Sequence, residues 1–185
     1  MTAWCQKRKV MHRYDSTAEI YDSRYAEEQE AKYKAALENV KPAETVLDVG
    51  CGTGLLFRHA ADEAEKVVGI DSSKKLLLEA RKHARGWRNV HLVQADADYL
   101  PFKADFFDVV FAFTVLQNMP KPVETLKELG RVAKPDATVV VTGLKRVFSS
   151  DVLRDMIEHA GLCPVTIRND DLLKCYVAFS FKSSK

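Results

Sequence analysis

No stretch of this chain approaches the roughly 20 consecutive apolar residues that a membrane-spanning helix needs, so a membrane role is not expected. Cysteine is scarce. The four present, Cys5, Cys51, Cys163 and Cys175, show no CxxC spacing, which argues against a zinc site or a disulfide framework. Reduced thiols and a cytoplasmic location are expected, with no metal centre. Neither sign of charge predominates: 28 basic residues face 26 acidic ones, a formal net charge of +2. Whole-molecule charge therefore does not argue for a nucleic-acid partner. Lys7, Arg8, Lys9 and Arg13 lie near the N-terminus, but no apolar run follows them, so a signal peptide is not expected. Internal repeats, low-complexity tracts and long linkers are absent as well. The 185 residues read as a single domain, with residues 1–40 preceding an α/β core over 41–185. At 46% hydrophobic and 29% charged, that length can bury a core without staples.

The first 25 residues are polar and aromatic. Tyr25, Tyr33, Leu37 and Val40 then mark one apolar helical face, closed by Lys41-Pro42. Short buried strands follow at 45–49 and 66–70, with others at 90–94, 107–113 and 137–142. Helices are expected between them, over about 55–62, from a cap at Ser72 or Ser73 to Ala84, and from Pro122 to Val132. Lys134-Pro-Asp136 reads as a turn. Val152, Leu153, Met156, Ile157 and Ala160 form a last helical stripe, stopped by Gly161. Two β-like runs, 165–168 and 175–181, close the chain as a hairpin. Regular alternation of strand and helix implies a doubly wound, mostly parallel α/β sheet of the Rossmann-like kind. Ligands bind such sheets beyond the carboxyl ends of the strands.

The sequence Val-Leu-Asp-Val-Gly-Cys-Gly-Thr-Gly over 46–54 carries the most information. Gly50, Gly52 and Gly54 permit a sharp turn and close approach of a ligand, and a helix N-terminus follows. Asp71, 17 positions beyond Gly54 at the end of the next strand, is placed to bond a ribose's two hydroxyls, with helix capping as its alternative role. The glycine spacing is G-x-G-x-G and not the dinucleotide G-x-G-x-x-G. Asp48, just before the turn, would repel a pyrophosphate but suits the ammonium and sulfonium of S-adenosylmethionine. Satisfying buried backbone amides is the alternative reading of Asp48.

These segments resemble the class I S-adenosylmethionine-dependent methyltransferases. Residues 46–54 look like that family's first motif and Gly-Ile-Asp-Ser over 69–72 like its second. Gln-Ala-Asp-Ala over 94–97 looks like the adenine-contacting segment, and residues 100–111 like the approach to and body of the fourth strand. The resemblance implies a seven-stranded sheet of order 3-2-1-4-5-7-6 with strand 7 antiparallel. It also implies a cofactor site of Asp48, Gly50, Cys51, Gly52, Gly54, Asp71, Ser72, Asp96, Ala97, Phe113, Thr114 and Gln117. Residues 14–22, with Tyr14 and Tyr21, resemble the lid of ubiquinone- and menaquinone-biosynthesis-like relatives, where tyrosine faces gain from cation–π attraction to a sulfonium. Asp136 departs from the family, which often has glycine there.

Methyl transfer from a sulfonium needs positioning and exclusion of water more than a dedicated base. No catalytic side chain stands out; His12, Asn118 and Arg146 are the polar candidates. The fourth strand lacks the Asn/Asp-Pro-Pro-aromatic motif of many base-amino methyltransferases. No cysteine follows that strand, against a covalent route to cytosine C5, and Cys51 is expected to pack. The acceptor stays open. A tRNA, rRNA or translation protein is one class, met by basic runs at 7–13 and at Lys82, Arg85 and Arg88 around Trp87, with a small zinc-ribbon subunit as activator. A small molecule is the second, favoured by a compact chain with no appended recognition domain. A non-catalytic cofactor-binding subunit is the third, and a dinucleotide oxidoreductase is a further alternative.

Overall fold

Short runs of β-branched and aromatic residues, four of them followed by a helix, build one seven-stranded sheet in a computed structural model that describes residues 2–183. The strands are β1 (Thr45–Val49), β2 (Lys66–Asp71), β3 (Val90–Gln94), β4 (Phe107–Ala112), β5 (Ala133–Leu144), β6 (Cys163–Arg168) and β7 (Cys175–Phe181). Their spatial order is β3-β2-β1-β4-β5-β7-β6, and β7 alone runs antiparallel to its neighbours. This is the expected Rossmann-like order. β1 sits between β2 and β4, pairing Leu47 with Val68 on one side and Val110 on the other.

The helices are α1 (Ala3–Thr17), α2 (Tyr21–Leu37), α3 (Phe57–Ala60), α4 (Lys74–His83), α5 (Pro122–Val132) and α6 (Ser150–His159). The pleat sends alternate side chains to opposite faces. Leu47 and Val49 of β1 join Leu126 and Leu129 of α5 and Leu153 and Ile157 of α6. Val46 and Phe111 point the other way, into a second core with Tyr33 of α2, Phe57 of α3 and Ala80 of α4. Each fully buried phenylalanine there contributes about 1.5–3 kcal/mol. Ser73 caps α4 by accepting from the Leu76 amide at 3.1 Å, and Pro122 opens α5.

Two expectations need correction, and one segment takes on structure its composition left open. Residues 134–136 are not a free turn: β5 already starts at Ala133, and Asp136 takes a left-handed conformation (φ 62°) inside it. The pairing with β4 shifts register there, so the extra length forms a bulge. The helix expected over 55–62 is helical only at Phe57–Ala60, because residues 52–56 continue the glycine turn. Residues 3–25, polar and aromatic in composition, are mostly helical, in α1 and the start of α2. α1 has no buried residue, since its apolar side chains face a cavity and not a protein core.

Candidate functional site

The carboxyl ends of β1, β2 and β4 converge where Gly50, Gly52 and Gly54 bend the chain with φ of 70°, 57° and 80°. A Cβ on Gly54 would lie 2.2 Å from the Phe57 ring, so that glycine lets the turn settle on α3. A Cβ on Gly52 would meet only the Tyr21 ring, at 3.8 Å, so this backbone faces open space. Asp71 closes the turn from the side: its Oδ2 accepts from the Gly52 amide at 3.0 Å and its Oδ1 from the Ser73 amide at 2.8 Å.

A cavity of about 280 Å³ opens over this turn. Gly50, Gly52, Asp71, Ser72, Asp96, Ala97, Phe113 and Thr114 line it from the sheet side, and Tyr14 and Tyr21 from above. Ten expected residues are thereby brought together. Asp48, Cys51, Gly54 and Gln117 lie outside the lining, Gln117 in a neighbouring cavity. Asp48 is only 3% exposed beneath the turn, and burial together with the nearby Asp71 raises its carboxyl to about 8. Asp71 rises to about 6, burial outweighing its backbone hydrogen bonds. Burial, with the two acids nearby, pushes the Cys51 thiol far up, which suits packing and not nucleophilic attack.

The roof was not legible beforehand. Trp4, Lys7, Arg8, Val10, Met11 and Tyr14 of α1 all line the cavity. Their spacing is helical, but the interleaved cations disguise it as a polar segment. Lys7 Nζ donates to Asp96 Oδ1 at 2.7 Å and to Asp98 Oδ2 at 2.5 Å. Asp15, also on α1, accepts from the Ser73 hydroxyl at 2.5 Å.

A second cavity of about 800 Å³ adjoins the first, sharing Tyr14, Tyr21, Thr114 and Asn118 with it. Thr114 is its hub. A β-branched residue at φ 62° is strained, and such outliers persist only where surroundings hold them. Its amide donates to Thr142 Oγ1 (2.7 Å), and its Oγ1 accepts from Lys32 Nζ (3.1 Å) and Gln29 Nε2 (3.4 Å). Its carbonyl accepts from the side chains of Gln117 (Nε2, 2.6 Å) and Asn118 (Nδ2, 2.9 Å). Gln29 and Gln117 are thus fixed through nitrogen, and each keeps a buried Oε1 without a hydrogen-bond partner among the described residues. Lys32 is fully buried and pairs with Glu28. Burial alone would raise the Glu28 carboxyl, but Lys32 and Lys174 outweigh it and hold it below the usual range. Helical spacing puts Tyr25, Gln29 and Lys32 on one face of α2, the signal that could have found them.

Of the polar candidates, Asn118 lines both cavities and donates to Tyr14 Oη at 3.2 Å, while Arg146 lines the second. His12 is exposed and lines neither. Among the described residues no group of three or more His, Cys, Asp or Glu could hold a metal ion.

Residues 47–141, just over half of the chain, match the family described as Methyltransferase domain. The chain belongs to that family, the class I S-adenosylmethionine-dependent methyltransferases. A demethylmenaquinone methyltransferase of Staphylococcus saprophyticus is 37% identical over 105 residues, 55% of this chain and 45% of that protein. A malonyl-[acyl-carrier protein] O-methyltransferase of a Marinomonas species is 31% identical over 150 residues, 79% of this chain and 55% of that protein. The chain spans about half the length of these curated relatives. A methyltransferase solved in complex with the Trm112 activator of Haloferax volcanii shares the fold, with a TM-score of 0.79 at 18% identity, over 92% of this chain and 98% of that one.

The family's cofactor fits the first cavity on this structure's own terms. The glycine turn leaves space that a side chain would fill, a carboxylate stands at its edge, and two buried acids favour a cation. Asp71 would hold the ribose, the Asp96–Ala97 segment the adenine, and the Tyr14–Tyr21 side the methionine end.

Proposed function

We propose that this methyltransferase acts on a small molecule bound in the second cavity. The observation that carries the reading is the chamber itself: about 800 Å³, within the size range of small-molecule sites, joined to the cofactor cavity through Tyr14, Tyr21, Thr114 and Asn118. The disposition of the basic residues agrees. Within the first basic run, Lys7 is engaged by Asp96 and Asp98 and Arg13 by Asn118, so two of its four cations already have partners inside the fold. Trp87 donates its indole N–H to Asp62 at 2.9 Å and packs on the core, and Lys82 pairs with Glu79, so the second basic run offers no free stacking platform. A relative named for a demethylmenaquinone substrate is consistent with a chamber-bound small-molecule acceptor.

The bound cofactor supplies an electrophilic methyl group on a sulfonium. This chain's residues orient and enclose. Tyr14 and Tyr21, with ring centroids 6.1 Å apart, form an aromatic wall at the junction of the two cavities. Thr114, Gln117 and Asn118 fix the floor through one carbonyl. Glu28 is the lone carboxylate among the described residues lining the second cavity, and two lysines occupy it. The rate enhancement therefore rests on positioning and exclusion of water.

The test is purified protein with methyl-labelled S-adenosylmethionine, offered a metabolite extract, total RNA and ribosomal protein in separate reactions. Label entering small molecules alone is expected. Label entering RNA or protein, with or without an added activator, would favour a second reading, a partner-activated macromolecular enzyme. The structural likeness to a methyltransferase captured with the Trm112 activator supports that alternative.

A further inference from the structure

The second cavity is ringed by cations. Arg13, Arg24, Lys145, Arg146 and Lys174 line it, Lys32 lies beneath, and Glu28 is the lone carboxylate among the described lining residues. Most of these cations have other duties. Arg13 donates to Asn118 Oδ1 at 2.9 Å and stacks 5.0 Å over Tyr14. Lys145 donates to the Asp170 carbonyl, and Lys32 and Lys174 share Glu28. Among the described residues, the guanidinium groups of Arg24 and Arg146 have no hydrogen bond or ion pair. They come from different elements, Arg24 from the first turn of α2 and Arg146 from the loop after β5, yet face one chamber.

Resting on the small-molecule reading, we infer that the methyl acceptor carries an anionic oxygen group, a carboxylate or phosphate, held between Arg24 and Arg146. A planar guanidinium fork matches either group in two parallel hydrogen bonds. The rim carries more positive charge than the single carboxylate of the cofactor would neutralise, and Glu28 is already shared by two lysines. Such a ring of charge raises the local concentration of an anion and excludes cationic amines of the same size. The aromatic side chains of Tyr14, Tyr21 and Tyr25 line the same chamber, so the remainder of the acceptor meets flat apolar surface.

The experiment is calorimetry on the protein saturated with S-adenosylhomocysteine, using benzoate, phenyl phosphate and neutral benzamide as probes. Benzoate or phenyl phosphate is expected to bind at least about tenfold tighter than benzamide, and the better of the two identifies carboxylate or phosphate as the preferred group. Arg24→Met and Arg146→Met are each expected to weaken that anion by about tenfold or more, with folding checked by thermal melting. Benzamide binding as well as benzoate, or absence of anion binding at millimolar concentration, would overturn the inference. So would an equal loss of S-adenosylhomocysteine affinity in both variants, since the arginines would then serve the cofactor's carboxylate. The labelled-methyl reactions separate the two claims: label in a neutral small molecule removes the anion requirement alone, whereas label only in RNA or protein removes the small-molecule reading.

Discussion

Lys7 reaches from α1 to Asp96, 2.7 Å away at the far rim of the cofactor cavity, and also bonds Asp98. One lysine thus holds two carboxylates together and pins the first helix over the cavity. Its side chain is only 14% exposed, so solvent screens the contact little. Burial alone would lower the ammonium's pKa, but the hydrogen bonds to Asp96 and Asp98 raise it above its ordinary value.

Replacing Lys7 with methionine removes the tie and leaves Asp96 and Asp98 to repel each other. The expected cost to closure of α1 is about 1–3 kcal/mol, the range for a lost charged hydrogen bond. Amide exchange across residues 3–17 checks it, because local opening is read directly there. Protection unchanged from the parent protein would mean that other ties, such as the Ser73–Asp15 hydrogen bond, hold the helix and the ion pair does not.

Gly54 and Gly52 separate packing from ligand approach. Gly54→Ala forces a left-handed alanine and drives its Cβ into Phe57, so a loss of about 2–5 kcal/mol is expected, visible as a lower melting temperature. Gly52→Ala meets nothing closer than 3.8 Å and is expected to cost only about 1–2 kcal/mol of stability. Its effect falls on cofactor affinity, measured by calorimetry, because the added methyl enters the cavity.

Most of the core was legible because buried strands and amphipathic helices write their period plainly: residues 45–49 and 175–181 emerge with the expected bounds. The glycine turn and Asp71 were legible because backbone turns and strand ends constrain residue type locally. α1 was not, since a helix that faces a ligand cavity carries Lys7 and Arg8 where a core-facing helix carries leucine. The hub at Thr114 was legible only in part. Its neighbours Gln29 and Lys32 lie more than eighty positions away, and only folding shows that a buried lysine on α2 ends at the floor of the site.

Asp48 makes the cofactor-free protein sensitive to pH in a fixed direction. Its carboxyl titrates near 8 when folded and at 3.8 in the unfolded chain, so between those values the folded state binds the extra proton. Stability from this group is complete below about pH 4 and is lost as pH rises toward 8. Asp48→Asn keeps the neutral form at every pH. Thermal melts at pH 8 are expected to rise by roughly 2–4 °C for each kcal/mol recovered, with little change near pH 4. A variant melting below the parent at pH 8 would show that the carboxylate has a compensating partner.

Cofactor binding is expected to run the opposite way with pH, and the comparison of two ligands isolates why. S-adenosylmethionine carries a sulfonium charge that S-adenosylhomocysteine lacks, while the two share the adenosine and amino-acid groups. A nearby cation favours the ionised forms of Asp71, which titrates near 6, and Asp48, which titrates near 8. Below pH 6 both acids are mostly neutral, and the two ligands should bind alike. From pH 6 to 8 the acids ionise, and the preference for the sulfonium should grow, with proton release detected by calorimetry in buffers of different ionisation enthalpy. Asp48→Asn should flatten the upper part of that rise and leave the part near pH 6, which belongs to Asp71. A preference constant across the whole range would mean that the buried acids do not feel the sulfonium, and that the charge argument for this cofactor at the glycine turn fails.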